Sequence, residues 1–161
     1  MPDTTGHDRT VRVDSDVDPR VRISRREPGN RRWPVLAAIS AGGVVGSLAR
    51  YALQSASPHP PYGFAWATFA INVSGCLLIG VLMVLVTQVW TGRPLLRPFL
   101  GIGVLGGFTT FSTYVVDIQQ AIHVGAAATG LVYLSATLVA ALIAVWLGSA
   151  MTRWAVRPRR R

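Results

Sequence analysis

Residues 33–152 carry four charged side chains in 120 positions: Arg50, Arg93, Arg97 and Asp117. Charged residues make up about a quarter of an ordinary soluble domain, because a water-facing surface has to be covered. A stretch this poor in charge is bounded by something other than water. The remaining charge is pushed into the two ends. All 16 basic residues are Arg; eight lie in residues 1–32 and five in 153–161, and six of the seven acids also fall in the first 32. The net charge of +9 therefore belongs to the tails. A soluble enzyme and a compact nucleic-acid-binding domain are both argued against.

Four apolar stretches divide the middle: 34–54, 65–90, 99–122 and 126–151. Each reaches the roughly 20 residues that a membrane-crossing helix requires. Turn signals separate them: Ser57-Pro58-His59-Pro60-Pro61, Thr91-Gly92-Arg93-Pro94, and Gly125. Trp33, Trp66, Trp90 and Trp154 stand at the ends of these stretches, where an interfacial aromatic belt places them. The expected fold is an all-α membrane protein of four transmembrane helices. Residues 1–32 have no apolar h-region and do not read as a secretory signal. They read as a disordered Arg-rich tail, followed by the membrane domain 33–152 and a basic C-tail, 153–161. The single Cys76 excludes an intramolecular disulfide and a cysteine zinc cluster.

Charge asymmetry sets the expected orientation. Thirteen Arg lie near the membrane on the side of the termini and the loop between the second and third helices; Arg50 alone lies toward the other side. The positive-inside rule then puts both termini in the cytoplasm of a multi-pass cell-membrane protein. Helix faces carry a further signal. Ala38, Gly42, Gly46 and Arg50 follow i, i+4 spacing, as do Ala136, Ala140, Ala144 and Gly148. Ridges of small residues let helix backbones approach closely.

The third stretch contains Gly106-Gly107-Phe108-Thr109-Thr110-Phe111-Ser112-Thr113-Tyr114 near its middle. Adjacent Gly followed by β-branched residues is poor helix sequence. Two readings stand side by side. One is a break that exposes backbone carbonyls at bilayer depth, as in many ion-handling membrane proteins. The other is a Gly-rich packing surface whose Ser and Thr bond back to their own helix. Asn72, with Thr68 one turn away, is polar within a helix without charges; it either bonds a neighbouring helix or lines a path.

This motif resembles the signature of the CrcB/Fluc family of fluoride channels. Gly42-Gly43-Val44-Val45-Gly46 with Arg50-Tyr51, Thr68 with Asn72-Val73-Ser74-Gly75 and Gly80, Tyr133-Leu134-Ser135-Ala136-Thr137, and Ala144-Val145-Trp146-Leu147-Gly148 are similar, in order, to the family's other helices. The resemblance spans about residues 34–150. It implies an antiparallel dimer of four-helix subunits, each with a broken third helix, enclosing narrow fluoride pores. It also implies a structural, non-transported sodium ion at the dimer centre, held by the carbonyls of Gly106 and Thr109. Asn72, Thr110, Phe111, Ser112, Tyr114, Tyr133 and Thr137 are the implied pore residues. Arg50 and Asp117 are weaker vestibule candidates, and Tyr114 stands where the family usually has Phe. The implied function is passive export of fluoride, with membrane lipid and a second subunit as partners and no nucleic acid. The thirteen-to-one bias of this chain favours one orientation, so an antiparallel dimer calls for a partner of opposite bias, a heterodimer, with a homodimer as the alternative. A small four-helix proton-coupled exporter is the rival reading, and it wants a buried acid where this core offers only Asp117.

Overall fold

The computed structural model describes residues 29–90 and 92–156, with side chains from Arg32 onward. From Arg31 onward the described helices belong to one compact unit. The tail expected at 1–32 lies almost wholly outside the described residues, as does the end of the C-tail. Among the described residues the chain is all helical. It has four helices apolar and long enough to cross a membrane: Arg32–Ala56, Trp66–Gln88, Arg97–His123 and Ala127–Val156. The first helix begins at Gly29 and the last runs to Val156, several residues beyond the apolar stretches. Helix geometry has no reason to stop where the lipid stops, and Arg32 and Arg153, both exposed, extend their charged ends into water.

The third span is built in pieces. Arg97–Leu105 is wound as a wide π-helix, Gly106–Phe108 continues as α-helix, and the chain then leaves the helix before Ser112–His123 resumes it. The break falls just after the Gly pair and not at it. Gly106 has ordinary helical dihedrals, φ −66° and ψ −35°. Gly107 serves a different purpose, which is contact. A Cβ there would sit 2.6 Å from the Gly43 carbonyl oxygen and 3.1 Å from Ser47 N.

Small residues decide the packing of both pairs of spans. Gly42 and Gly46 of the first span lie against the Phe99 and Val104 carbonyls, and a Cβ on Gly103 would come within 2.8 Å of the Ile39 carbonyl. On the other side, Gly80 lies against the backbone at Val145 and Ser149, and Gly148 against Leu77 and Val81. Of the two small-residue ridges, Gly42, Gly46, Ala144 and Gly148 are buried. The turn into the fourth span is closed by Gly125 at φ +80°. Ala126 N donates to Ala121 O (2.8 Å) and Gly125 N to Ile122 O (3.0 Å). This pattern ends a helix by satisfying its last carbonyls, and its left-handed residue favours Gly.

Candidate functional site

The site grows from one side chain that reaches across to another helix. Asn72, on the second span, holds the main chain of Thr110 with both ends of its amide. Its Nδ2 donates to the Thr110 carbonyl and the Thr110 N–H donates to its Oδ1, each at 2.9 Å. In an unbroken helix that N–H would return to the carbonyl of Gly106. One turn on, the Thr113 N–H would return to Thr109, but it is donated to Thr110 Oγ1 at 3.1 Å. Thr109 itself is extended, φ −75° and ψ 157°. The carbonyls of Gly106 and Thr109 therefore lose their helical donors, at a depth where lipid offers no replacement. The structure shows one of the two readings of Asn72, the bond to a neighbouring helix, and that bond falls where the Gly-rich segment leaves its helix.

Gly75 makes this approach feasible. A Cβ at position 75 would collide with Thr109 Cγ2. The Thr109 hydroxyl turns back to Leu105 O at 2.9 Å, so of its oxygens only the carbonyl is released. Thr110 is buried, and its hydroxyl donates to Thr113 Oγ1 at 3.0 Å. Ser112 is exposed, its Oγ 3.5 Å from Thr110 Oγ1.

A groove of about 370 Å³ lies beside the break, walled by Asn72, Gly106, Thr109, Phe111, Tyr114 and Thr137 among others. Phe111 is 78% exposed at its edge. From it an aromatic series runs inward. Ring centroids of Phe111 and Tyr114 are 6.0 Å apart, those of Tyr114 and Tyr133 are 5.2 Å apart, and Phe64 meets Tyr133 edge-on at 5.0 Å. The Tyr114 hydroxyl is donated to the Leu134 carbonyl at 2.8 Å, which anchors the ring to the fourth span and leaves its edges as the free feature. Thr137 is buried, yet its Oγ1 has no hydrogen-bond partner. A buried hydroxyl without a partner is uncommon.

A second cavity of about 290 Å³ lies toward the end of the spans, lined by Gln54, Ser57, Pro58, His59, Ala67, Thr68, Thr113, Asp117 and Gln120. Asp117 is held here, its side chain 10% exposed, with Oδ1 at 3.7 Å from His59 Nε2. The Tyr133 hydroxyl donates to Asp117 Oδ2 at 3.3 Å. The two cavities are linked by Thr113, which lines the second and bonds Thr110 of the first, and by Tyr133, which bonds Asp117 and stacks on Tyr114.

The residues singled out in the sequence thus converge, apart from Arg50, which is half-buried on the first span and lines neither cavity. Three participants, Thr113, Gly75 and His59, stand in the quoted motifs and turn signals but were not among the expected site residues. Gly75 had a readable signal, its i+3 offset from Asn72. His59 had none, because only the fold brings its loop to the third span. Among the described residues no cluster of three His, Cys, Asp or Glu is placed to hold a metal ion. A cation here would rest on main-chain oxygen.

Comparison with known proteins gives one consistent result. The model of the family described as CrcB-like protein, Camphor Resistance (CrcB), matches residues 37–149. A relative from Nocardia farcinica named fluoride-specific ion channel FluC 2 is 52% identical over 127 residues, 79% of this chain and 91% of its own. One from Streptomyces coelicolor, fluoride-specific ion channel FluC 1, is 52% identical over 139 residues, 84% of this chain and 88% of its own. Another from Rhodospirillum centenum, fluoride-specific ion channel FluC, is 37% identical over 123 residues, 76% of this chain and 98% of its own.

Proposed function

The chain belongs to the CrcB-like family, and from that premise we propose that it is a fluoride-selective passive channel that lets the anion leave the cytoplasm. The observation that carries the reading is the 52% identity, over most of both chains, to a relative named a fluoride-specific ion channel. The chemistry of the site supports it. Fluoride is small and strongly hydrated, so a path has to replace water with donors and ring edges and keep negative charge away. The groove offers the free N–H of the Asn72 amide and the edges of Phe111 and Tyr114, whose rings carry partial positive charge at the rim. Ser112 adds an exposed hydroxyl, while the Thr110 and Tyr133 hydroxyls donate to Thr113 and Asp117 and would have to turn to serve the anion.

Hydrogen fluoride crosses membranes as the neutral acid and ionises in a near-neutral cytoplasm. A passive exit then suffices, because the inside-negative potential drives the anion outward by about 2.3 kcal/mol per charge per 100 mV. The sequence contains no G-x-x-x-x-G-K-[ST] phosphate loop, and the reading requires none.

A structural sodium ion fits the residues present. The Gly106 and Thr109 carbonyls are hard oxygen donors released from their helix, and a monovalent cation there would neutralise their partial charge without being transported. Two carbonyls are too few for a complete site. Gly106 is exposed, with nothing nearer to a Cβ than the Gly101 carbonyl oxygen at 3.9 Å. A second, antiparallel subunit across this open side would supply the remaining oxygens and close the groove into a pore. The thirteen-to-one Arg asymmetry favours a single orientation with both termini cytoplasmic, and so a heterodimer with a subunit of opposite bias. The proton-coupled exporter fits less well: its one candidate acid, Asp117, is tied to His59 and Tyr133 near a span end.

The test is fluoride efflux from proteoliposomes containing this chain and an oppositely biased family subunit. Fluoride should discharge while chloride stays trapped. Equal leakage of both ions would refute selectivity.

A further inference from the structure

The His59–Asp117 pair lies outside the helix break and the groove, and the proposed function leaves it without a role. His59 sits in the loop between the first and second spans, and its ring has an acceptor at each nitrogen. Nδ1 is 3.2 Å from the Pro60 carbonyl oxygen and Nε2 is 3.7 Å from Asp117 Oδ1. A neutral imidazole has one N–H and leaves its other nitrogen lone pair facing an oxygen. The imidazolium has two N–H groups, so it can donate to Pro60 O and pair with the Asp117 carboxylate electrostatically across 3.7 Å, a separation beyond hydrogen-bond reach. The pair is also placed to matter. Asp117 is the one acid within the described spans, it lines the polar cavity at the end of the track, and it accepts from Tyr133, which stacks on Tyr114 in the groove.

We propose that His59 sets the charge of this pore mouth: protonated, it cancels the Asp117 carboxylate and admits fluoride; neutral, it leaves a bare negative charge that repels the anion. The inference rests on the channel reading above. His59 acts through Asp117 and is a positioning and charge-setting residue, not a fluoride ligand. The groups facing it leave the effect to this pair. From the third span come Asp117, Thr113 and Gln120; from the second, Ala67 and Thr68; from the first, Gln54 and Ser57. The fourth span contributes Tyr133 through its bond to Asp117. Asp117 is the only other formal charge in that set, and Arg50, one turn before Gln54, is not among the lining residues. An imidazole is the side chain that ordinarily changes charge between about pH 5 and 8. On the topology proposed above this mouth faces outward, so the path would open further as the exterior acidifies, which is when entry of neutral hydrogen fluoride is greatest.

The experiment is fluoride efflux from proteoliposomes of the assembled channel, from about pH 5 to 8, after subtracting the leak of protein-free vesicles. Flux should rise as pH falls, by roughly two- to tenfold, the Boltzmann factor for one charge at the edge of a wet vestibule. His59→Gln should flatten the profile at the low level and His59→Arg at the high level, since neither titrates in this range. Asp117→Asn should raise flux at every pH, its alkaline level matching the parent's acid level, because the charge of His59 still changes. His123→Gln, at the exposed end of the third span, should leave the profile unchanged. Flux that is present but independent of pH, or a His59→Gln profile matching the parent, overturns the inference and leaves the channel standing. Absence of fluoride flux at every pH overturns both.

Discussion

Replacing Asn72 by Leu removes the side chain that opens the third span, and the structure sets the size of the effect. Two hydrogen bonds of 2.9 Å are lost, one from a backbone N–H and one to a backbone carbonyl of the buried Thr110. Leaving a buried polar group without its partner costs about 1–3 kcal/mol, so the gross penalty is roughly 2–6 kcal/mol. Part of it is recovered, because the Thr110 N–H lies one turn beyond the Gly106 carbonyl and helix closure would pair them. The net destabilisation should be about 1–3 kcal/mol, at or above the upper range of interhelical hydrogen bonds in membranes, whose maximum is near 1.7, since here a backbone break depends on them. Closure has a functional consequence, because it would return the Gly106 carbonyl to the helix and remove it from the proposed cation site. Fluoride efflux should fall at least about tenfold, as a barrier increase of 1.4 kcal/mol implies. The greater thermal stability that the proposed sodium site should give the assembled channel in sodium over potassium should vanish. Asn72→Asp separates the two roles. It keeps an acceptor for the Thr110 N–H, so sodium stabilisation should persist, while the added negative charge blocks the anion. Full efflux and full sodium-dependent stability in Asn72→Leu would refute the link between this amide and the break.

Three further outcomes are expected. Phe111→Ile keeps bulk but removes the ring edge, so efflux should drop several-fold with assembly intact by size-exclusion chromatography; unchanged flux would return Phe111 to lipid contact. Gly107→Val should destabilise the chain itself by about 1–3 kcal/mol through overpacking against Gly43 and Ser47, whereas Gly106→Val meets open space and should fold and insert yet fail to form an active dimer; similar behaviour of the two in a stability assay would refute the assignment of their faces. Cysteine accessibility at the two tails, after replacing Cys76, should label one side of the membrane only; comparable labelling from both sides, or full efflux from this chain alone, would establish the homodimer.

Much of the architecture is legible in the residues, and the reasons differ from element to element. The spans are plain because four charges in 120 positions leave few alternatives to lipid. The Gly125 turn is plain because a left-handed residue after a helix is usually Gly. The position of the break is not local information. Gly106-Gly107 marks a weak point, but the segment stays helical through Phe108 because Gly107 is in contact with the first span. It opens at Thr109 because Asn72, 38 residues earlier, takes the Thr110 N–H. Tyr114 shows the same limit in reverse. Its hydroxyl reads as an added pore donor, and the fold gives it to the Leu134 carbonyl.

Among the described residues, the groups left without partners lie toward one face. Gly106 is exposed and Phe111 is 78% exposed, and both line the groove whose wall also holds the orphaned Thr137 hydroxyl. An exposed Leu or Val on a membrane helix needs only lipid, but a released carbonyl and a bare hydroxyl need polar partners that lipid lacks. The same reasoning that explains why the break exists also requires that something cover it. A second subunit supplying main-chain oxygens to the Gly106 side and aromatic edges to the Phe111 side meets both demands at once. This is why the site reads as half of an assembly, and why Gly106→Val discriminates: it tests a surface that has no structural reason to be glycine within a single chain.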